Sequence, residues 1–311
     1  MRRWLRRVAV ALGALVVLLT FASLAYNAAT SGREVSATKL YAGPFVRIDG
    51  TTLSYRRWGV RGTPIVLLGG FIESAWVWHA VGPILAKRHR VYALDLPPFG
   101  YSQRRGPYTL SRWARLVRDF DARFRLVRPT LVGHSLGAAV VASIGANEPR
   151  HLSRIVLLDG DARPGGGSRG WISHLLLPPW YTSIYRIATG SDWIFRRALR
   201  SAWGTGRPPF SNPFIDQWQR PFRVSGTAAA LRSMLGQGIQ GVSAATLRRV
   251  RVPSIVVWGA RDAVDSPAAG RRTAALLRAR FVVVPRAGHL SLLQAPTAVA
   301  RAIAQFAGGA Q

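Results

Sequence analysis

The chain has 311 residues, 49% of them apolar, and a formal charge of +30 from 43 basic and 13 acidic side chains. That length supplies one large core, or one domain with an insertion. The absence of cysteine excludes disulfides, thiolate catalysis and cysteine-ligated zinc. Almost all of the positive charge is arginine, since Lys39 and Lys87 are the only lysines. The arginines scatter from Arg6, Arg56 and Arg104 to Arg249 and Arg301, with no compact basic helix and no interleaved aromatic code. That spread reads as a solvated surface bias first and as adhesion to an anionic leaflet second, and it argues against nucleic acid as a partner.

Residues 1–7, Met1-Arg2-Arg3-Trp4-Leu5-Arg6-Arg7, form a basic N-terminus, and residues 8–26, Val8 to Tyr26, are uncharged and almost wholly apolar. A helix of that length spans about 28 Å, close to the hydrocarbon thickness of a bilayer. It reads as a transmembrane anchor, with a cleaved signal segment and a buried N-terminal helix as alternatives. Ser23-Leu24-Ala25 and Asn27-Ala28-Ala29 are small-residue sites that suit the signal alternative. Arginine is concentrated before the run, whereas only Arg33 and Lys39 follow closely. The positive-inside rule therefore expects a cytoplasmic N-terminus with the rest of the chain on the extracytoplasmic side, secreted if the segment is cleaved. Residues 27–40 are small and polar and read as a linker.

The core is expected in two parts, residues 41–161 and 251–311. Phe45 to Ile48, the Asp49-Gly50 turn and Thr51 to Tyr55 read as a hairpin. The apolar runs Pro64–Leu68, Val91–Leu94, Thr130–Val132, Ile155–Leu158, Pro253–Trp258 and Phe281–Val284 read as buried strands. Helical stretches separate them, including 110–124, 268–278 and 297–306. Strands alternating with helices predict an α/β fold with a doubly wound, mostly parallel sheet and sites at the strand C-terminal ends. Residues 162–250 break the alternation and read as an inserted helical cap or lid. This segment opens on Pro164-Gly165-Gly166-Gly167-Ser168 and carries Trp171, Trp180, Trp193, Trp203, Trp218, Pro178-Pro179 and Pro208-Pro209.

Gly133-His134-Ser135-Leu136-Gly137 sits between an apolar strand and the small-residue run Ala138 to Ala142. Strand, sharp turn and helix are the context of a nucleophile elbow, where glycines leave room for a strained serine. The pentapeptide alone is weak evidence in a chain with 31 glycines. Serine needs a base and the base a carboxylate. His289 lies just past the last apolar strand in Ala287-Gly288-His289, and Asp262 follows Trp258-Gly259-Ala260-Arg261. Asp159 and Asp265 compete with Asp262 for the carboxylate role, and His134 reads as a packing residue. Leu136 N–H and Phe71 N–H, the latter in Leu68-Gly69-Gly70-Phe71, are the expected oxyanion donors. The Asp95 to Ser102 loop reads as a structural wall of the pocket.

These residues resemble the α/β-hydrolase superfamily, in its serine-nucleophile, capped esterase- or lipase-like branch. The likeness runs from about Phe45 to Phe306. It rests on Gly69-Gly70-Phe71, the Asp95 to Ser102 loop, Gly133 to Gly137, Gly259 to Asp262 and Gly288-His289. It departs from the family where Gly69-Gly70 replaces His-Gly and where Gln294 replaces a glutamate. The resemblance implies hydrolysis of an ester or similar acyl bond by Ser135, His289 and Asp262, with no metal or organic cofactor. The tryptophan-rich cap and the apolar N-terminus point to an apolar, lipid-like acyl substrate. Carbon–carbon, amide or lactone hydrolysis, acyl transfer, and a non-catalytic binding role are the alternatives on the same fold.

Overall fold

The computed structural model describes residues 1–164, 180–206 and 208–308. The glycines of the predicted 164–168 loop, Trp171, His174 and Pro178-Pro179 lie outside the described residues. Eight strands form one sheet in the order β1-β2-β4-β3-β5-β6-β7-β8. They are β1 (Phe45–Ile48), β2 (Thr51–Trp58), β3 (Thr63–Leu68), β4 (His89–Leu94), β5 (Thr130–His134), β6 (Arg154–Leu158), β7 (Ser254–Gly259) and β8 (Arg280–Val284). The hairpin β1–β2 runs antiparallel and β2 pairs antiparallel with β4, whereas every pairing from β4 through β3 to β8 is parallel. The central strands are apolar runs because both of their faces are covered. Every residue of β5 is buried, as is every residue of β3 after Thr63.

Helices cover the two faces. On one face α4 (Leu110–Arg123) packs on α5 (Leu136–Asn147), which follows β5 directly. On the other, α3 (Val81–Leu85) meets the C-terminal helix α13 (Pro296–Gly308). α3 is a single short turn-and-a-half and left no periodic signal in the sequence. β2 runs three residues past the predicted Tyr55, because Arg56, Arg57 and Trp58 continue the ladder against β4.

Between β6 and β7 no strand occurs among the described residues. The chain there forms α6 (Trp180–Gly190), α7 (Asp192–Ala202), α8 (Asn212–Gln219), α9 (Thr227–Gln237) and α10 (Ala244–Arg249). α10 differs from the other four. Although it falls inside the 162–250 segment, it packs on α5 and on α11 (Pro267–Leu277), and so is continuous with the core layer. The cap sits on the core through aromatic rings, with Trp76 edge-on to Phe214 and Trp218. Arg104 fastens it. Its half-buried guanidinium donates to Gly100 O (2.7 Å) on the core side, and to Pro221 O (2.8 Å) and Thr227 Oγ1 (2.9 Å) on the cap side. Not all the cap tryptophans are packed, since Trp193 is 69% exposed.

The N-terminal helix α1 (Arg2–Thr30) continues past the predicted end at Tyr26. It is long and apolar enough to cross a membrane, with a mean hydropathy of 2.5. The stretch read as a linker is folded against the cap. Ser23 Oγ lies 2.6 Å from Ser183 Oγ of α6, and Arg186 donates to Thr30 Oγ1 (3.0 Å) and Glu34 Oε1 (2.6 Å). Val35 forms a parallel bridge with Val224. A polar, small composition resembles a linker whenever the partners of its polar groups lie far away in sequence.

Leu131 stands in the middle of β5 with no exposed surface. Leu131→Ala removes its methyl groups from a dry site and is expected to cost about 2–5 kcal/mol. The thermal midpoint falls by several degrees in a melt followed by near-ultraviolet circular dichroism. An unchanged midpoint contradicts the placement of β5 at the centre of the core.

Candidate active site

β5 ends at His134, and the chain reverses into α5 through one residue. Ser135 makes that turn at φ 50° and ψ −119°, a conformation that costs a non-glycine residue of order 1–3 kcal/mol. The turn is possible because its neighbours lack side chains. A Cβ on Gly133 would overlap the Gly137 carbonyl, and one on Gly137 would lie 2.7 Å from Gly69 O and 2.8 Å from Leu68 O. The elbow therefore presses against the end of β3, and the strain is held by that packing.

The structure brings Ser135, His289 and Asp262 together from three strand ends. His289 Nε2 lies 3.0 Å from Ser135 Oγ, and His289 Nδ1 lies 2.9 Å from Asp262 Oδ2. The other carboxylate oxygen of Asp262 accepts the Val264 and Asp265 amides, both at 2.9 Å, which orients it. Asp262 and His289 are buried. The competing carboxylates bond elsewhere. Asp159 accepts Gly259 N–H (2.7 Å) and the Ser291 hydroxyl, and Asp265 accepts Asp161 N–H at 3.5 Å.

Leu136 N–H opens α5, and Phe71 N–H lies in the loop after β3. Neither has an acceptor among the described residues. The adjacent Gly70 N–H is occupied, donating to Glu73 Oε2 at 2.6 Å. A Cβ on Gly70 would sit 2.8 Å from Ser135 Cβ, so this loop lies directly against the nucleophile position.

His134 does more than fill space. It has no exposed surface, and its ring bridges Glu73 Oε2 (2.9 Å) and the His289 carbonyl (2.7 Å). Two further residues complete the site. Glu73 is one, and no local motif marks it. Gln294, which stands where the family has a glutamate, is the other: its Oε1 accepts Gly288 N–H (2.7 Å) and Gly204 N–H (2.8 Å), tying the His289 loop to the end of α7. The remaining described histidines bond away from the site, His79 to Trp76, His89 to Thr63 and His151 to Asp121. Among the described residues no group of three or more potential metal ligands occurs.

The loop from Asp95 to Ser102 is built around a buried carboxylate. Asp95 accepts the Ser54 hydroxyl (2.5 Å), Ala75 N–H (2.5 Å) and Tyr101 N–H (3.1 Å), while burial pushes its pKa up. These bonds fasten β2, the Ala75 turn and the loop to one another.

Burial raises the Asp159 carboxyl to about 7, against the opposing pull of His134 and the Ser291 and Gly259 hydrogen bonds. For His134 burial opposes the charged ring, yet Glu73, then Asp159 and the His289 carbonyl, outweigh it and hold the pKa up at about 9. A folded value above the unfolded one, near 6.5, makes the contribution of His134 to stability complete below pH 6.5 and lost as the pH rises through about 9. The melting temperature is expected to fall across that window, and His134→Asn to flatten the slope. An equally steep slope in the variant refutes the pairing.

A family model for the alpha/beta hydrolase fold matches residues 63–296. An uncharacterized hydrolase of Bacillus subtilis (strain 168), YugF, is 25% identical over 263 residues, covering 83% of this chain and 95% of its own length. The meta-cleavage product hydrolase CumD of Pseudomonas fluorescens IP01 superposes with a TM-score of 0.72 at 19% identity, over 85% of this chain and 97% of that one. A membrane phospholipase A, a bacterial virulence factor, superposes with a TM-score of 0.69 at 22% identity, over 98% of each chain. At these identities the structural likeness is one of fold. A family match across most of the length, on a sheet of this order, makes the chain a member of the alpha/beta hydrolase fold family.

Proposed function

We propose that the protein is a serine hydrolase that cleaves an ester or similar acyl bond of an apolar substrate through an acyl-enzyme. The observation that carries the reading is the unbroken hydrogen-bonded line from Ser135 Oγ through His289 to Asp262, at 3.0 and 2.9 Å. Ser135 Oγ attacks the carbonyl carbon while His289 Nε2 takes its proton. Asp262 holds Nδ1–H of His289, which fixes the tautomer and stabilises the imidazolium. The free Leu136 and Phe71 amides receive the oxyanion. His289 then gives its proton to the leaving oxygen, and water deprotonated by His289 releases the acid and restores Ser135.

An apolar, lipid-like acyl group suits the aromatic contact between cap and core, where Trp76, Phe214 and Trp218 meet. Full-length protein is expected to bind a fluorophosphonate probe covalently and to hydrolyse p-nitrophenyl esters faster as the acyl chain lengthens. Ser135→Ala abolishes both activities, and Asp262→Asn lowers kcat by about 10⁴-fold through the wrong histidine tautomer. A folded wild type that does not label removes the reading. A preference for acetate over longer chains removes the apolar substrate alone.

For the location, α1 is the supporting element. Its uncharged stretch, the arginines before it and the match of the membrane phospholipase over 98% of the chain support an anchor with the catalytic domain outside the cytoplasm. The protein is expected to stay with membranes through a carbonate wash and to be digested by protease added to spheroplasts. Release by carbonate with the N-terminus missing indicates a cleaved signal instead.

A further inference from the structure

Glu73 stands at the only point where the three loops of the site are joined by side chains among the described residues. It comes from the loop after β3 and is buried, with 6% of its surface exposed. Its Oε2 accepts Gly70 N–H (2.6 Å) within that loop and faces His134 Nδ1 (2.9 Å) at the elbow. The far ring nitrogen of His134, Nε2, faces the carbonyl oxygen of His289 at 2.7 Å. A carbonyl oxygen has no proton to give, so Nε2 carries one. A carboxylate oxygen that already accepts an amide is best met by a second donor, so Nδ1 carries the other. The ring is then an imidazolium between two acceptors, and Glu73 is its counter-ion.

We propose that Glu73 is a positioning residue: paired with His134, it locks the oxyanion loop, the nucleophile elbow and the His289 loop into one rigid unit. The proposal rests on the reading of Ser135 as nucleophile. The geometry is demanding. Gly70 lies against Ser135, His134 precedes Ser135 in the chain, and His289 is the base. A shift in any of the three bonds alters the distances among nucleophile, base and oxyanion donors. The charge matters as well. The His134 and His289 rings are 5.1 Å apart, and Asp159 Oδ2 approaches His134 Nε2 to 3.9 Å. When His289 takes the proton of Ser135, a second cation forms beside the first, and Glu73 cancels the first. An apolar pair would fill the same space without satisfying Gly70 N–H, and removing one partner strands a buried charge.

The test uses the full chain in detergent. Glu73→Ala is expected to lower kcat and the rate of fluorophosphonate labelling by about 10²-fold while KM stays within about twofold, because positioning acts on the reacting geometry rather than on substrate binding. Glu73→Gln, whose amide oxygen can still accept from Gly70 N–H and from His134 Nδ1–H but carries no charge, recovers part of the loss. The double variant Glu73→Ala/His134→Ala is no slower than the slower single variant, since both break one clamp. Wild-type rates in Glu73→Ala, or losses that multiply in the double variant, overturn the proposal. A purely structural role would lower the melting temperature without separating kcat from KM. Should Glu73→Ala fail to fold, nitrogen-15 shifts of the histidine rings decide it. They show a doubly protonated His134 at pH 8 in the wild type and a neutral ring in Glu73→Gln, and a neutral wild-type ring overturns the pair. A wild type that does not label with the probe overturns the nucleophile reading, and the nitrogen shifts still decide the ion pair.

Discussion

The site depends on one constraint, the reversal of the backbone at Ser135. A serine at φ 50° is not stable in isolation. It persists because β5 is sealed between β3 and β6, and because the turn is pressed against the carbonyls at the end of β3. The same contact that holds the strain sets the distance from the elbow to the oxyanion loop, which continues from that strand end. Stability and site geometry therefore have one source here. Loosening β3 against β5 would relax Ser135 and move Gly70 and Phe71 together.

The parts legible in the sequence are those determined locally. β3, β5, β6 and β7 are buried on both faces and read as continuous apolar runs, with ends within one or two residues of those observed. Asp262 and His289 were legible because each ends or follows a strand, and chain order then places them beside Ser135. Glu73 and Arg104 were not legible, and Gln294 only as a departure from the family's glutamate, because their meaning lies in contacts across the chain. Glu73 reaches His134 61 residues away, Gln294 reaches Gly204 at 90, and Arg104 reaches Thr227 at 123. A single polar residue in a loop carries no periodicity that would announce such a partner. For His134 the sequence reads packing alone for the same reason: elbow geometry turns it away from the pocket, but does not say what it meets on the buried side.

The 27–40 segment shows how composition misleads about connection. Its residues are small and polar, yet Glu34 and Thr30 between them accept from all three guanidinium nitrogens of Arg186, and Val35 bridges to Val224. Those partners belong to α6 and to the turn before α9, both in the cap. The cap is held from two sides, by Arg104 from the core and by the N-terminal segment through Arg186. Any motion that lifts the cap from the core must therefore break the Arg104 bonds, the bonds to the N-terminal segment, or both. A charged anchor at each side makes the cap's position a matter of directional bonds rather than of apolar contact alone.

The charge balance tells the same story from the acidic side. With 13 acidic residues against 43 basic ones, each carboxylate is scarce, and none is idle. Glu73, Asp95, Asp121, Asp159 and Asp262 are buried, and each has hydrogen-bond partners. Glu34, Asp49, Asp119, Glu148, Asp161, Asp192 and Asp216 pair with arginines. Asp265 accepts the Asp161 amide. Exposed pairs of this kind contribute little, about 0–1 kcal/mol each, whereas removing one partner of a buried pair costs about 3–5 kcal/mol. In such a chain the informative position is an aspartate or glutamate inside the core rather than another arginine on the surface. Four of the five buried carboxylates converge on loops at the strand C-terminal ends, where Ser135 sits. Asp121, on α4, is the exception, and its partner His151 lies in the turn before β6.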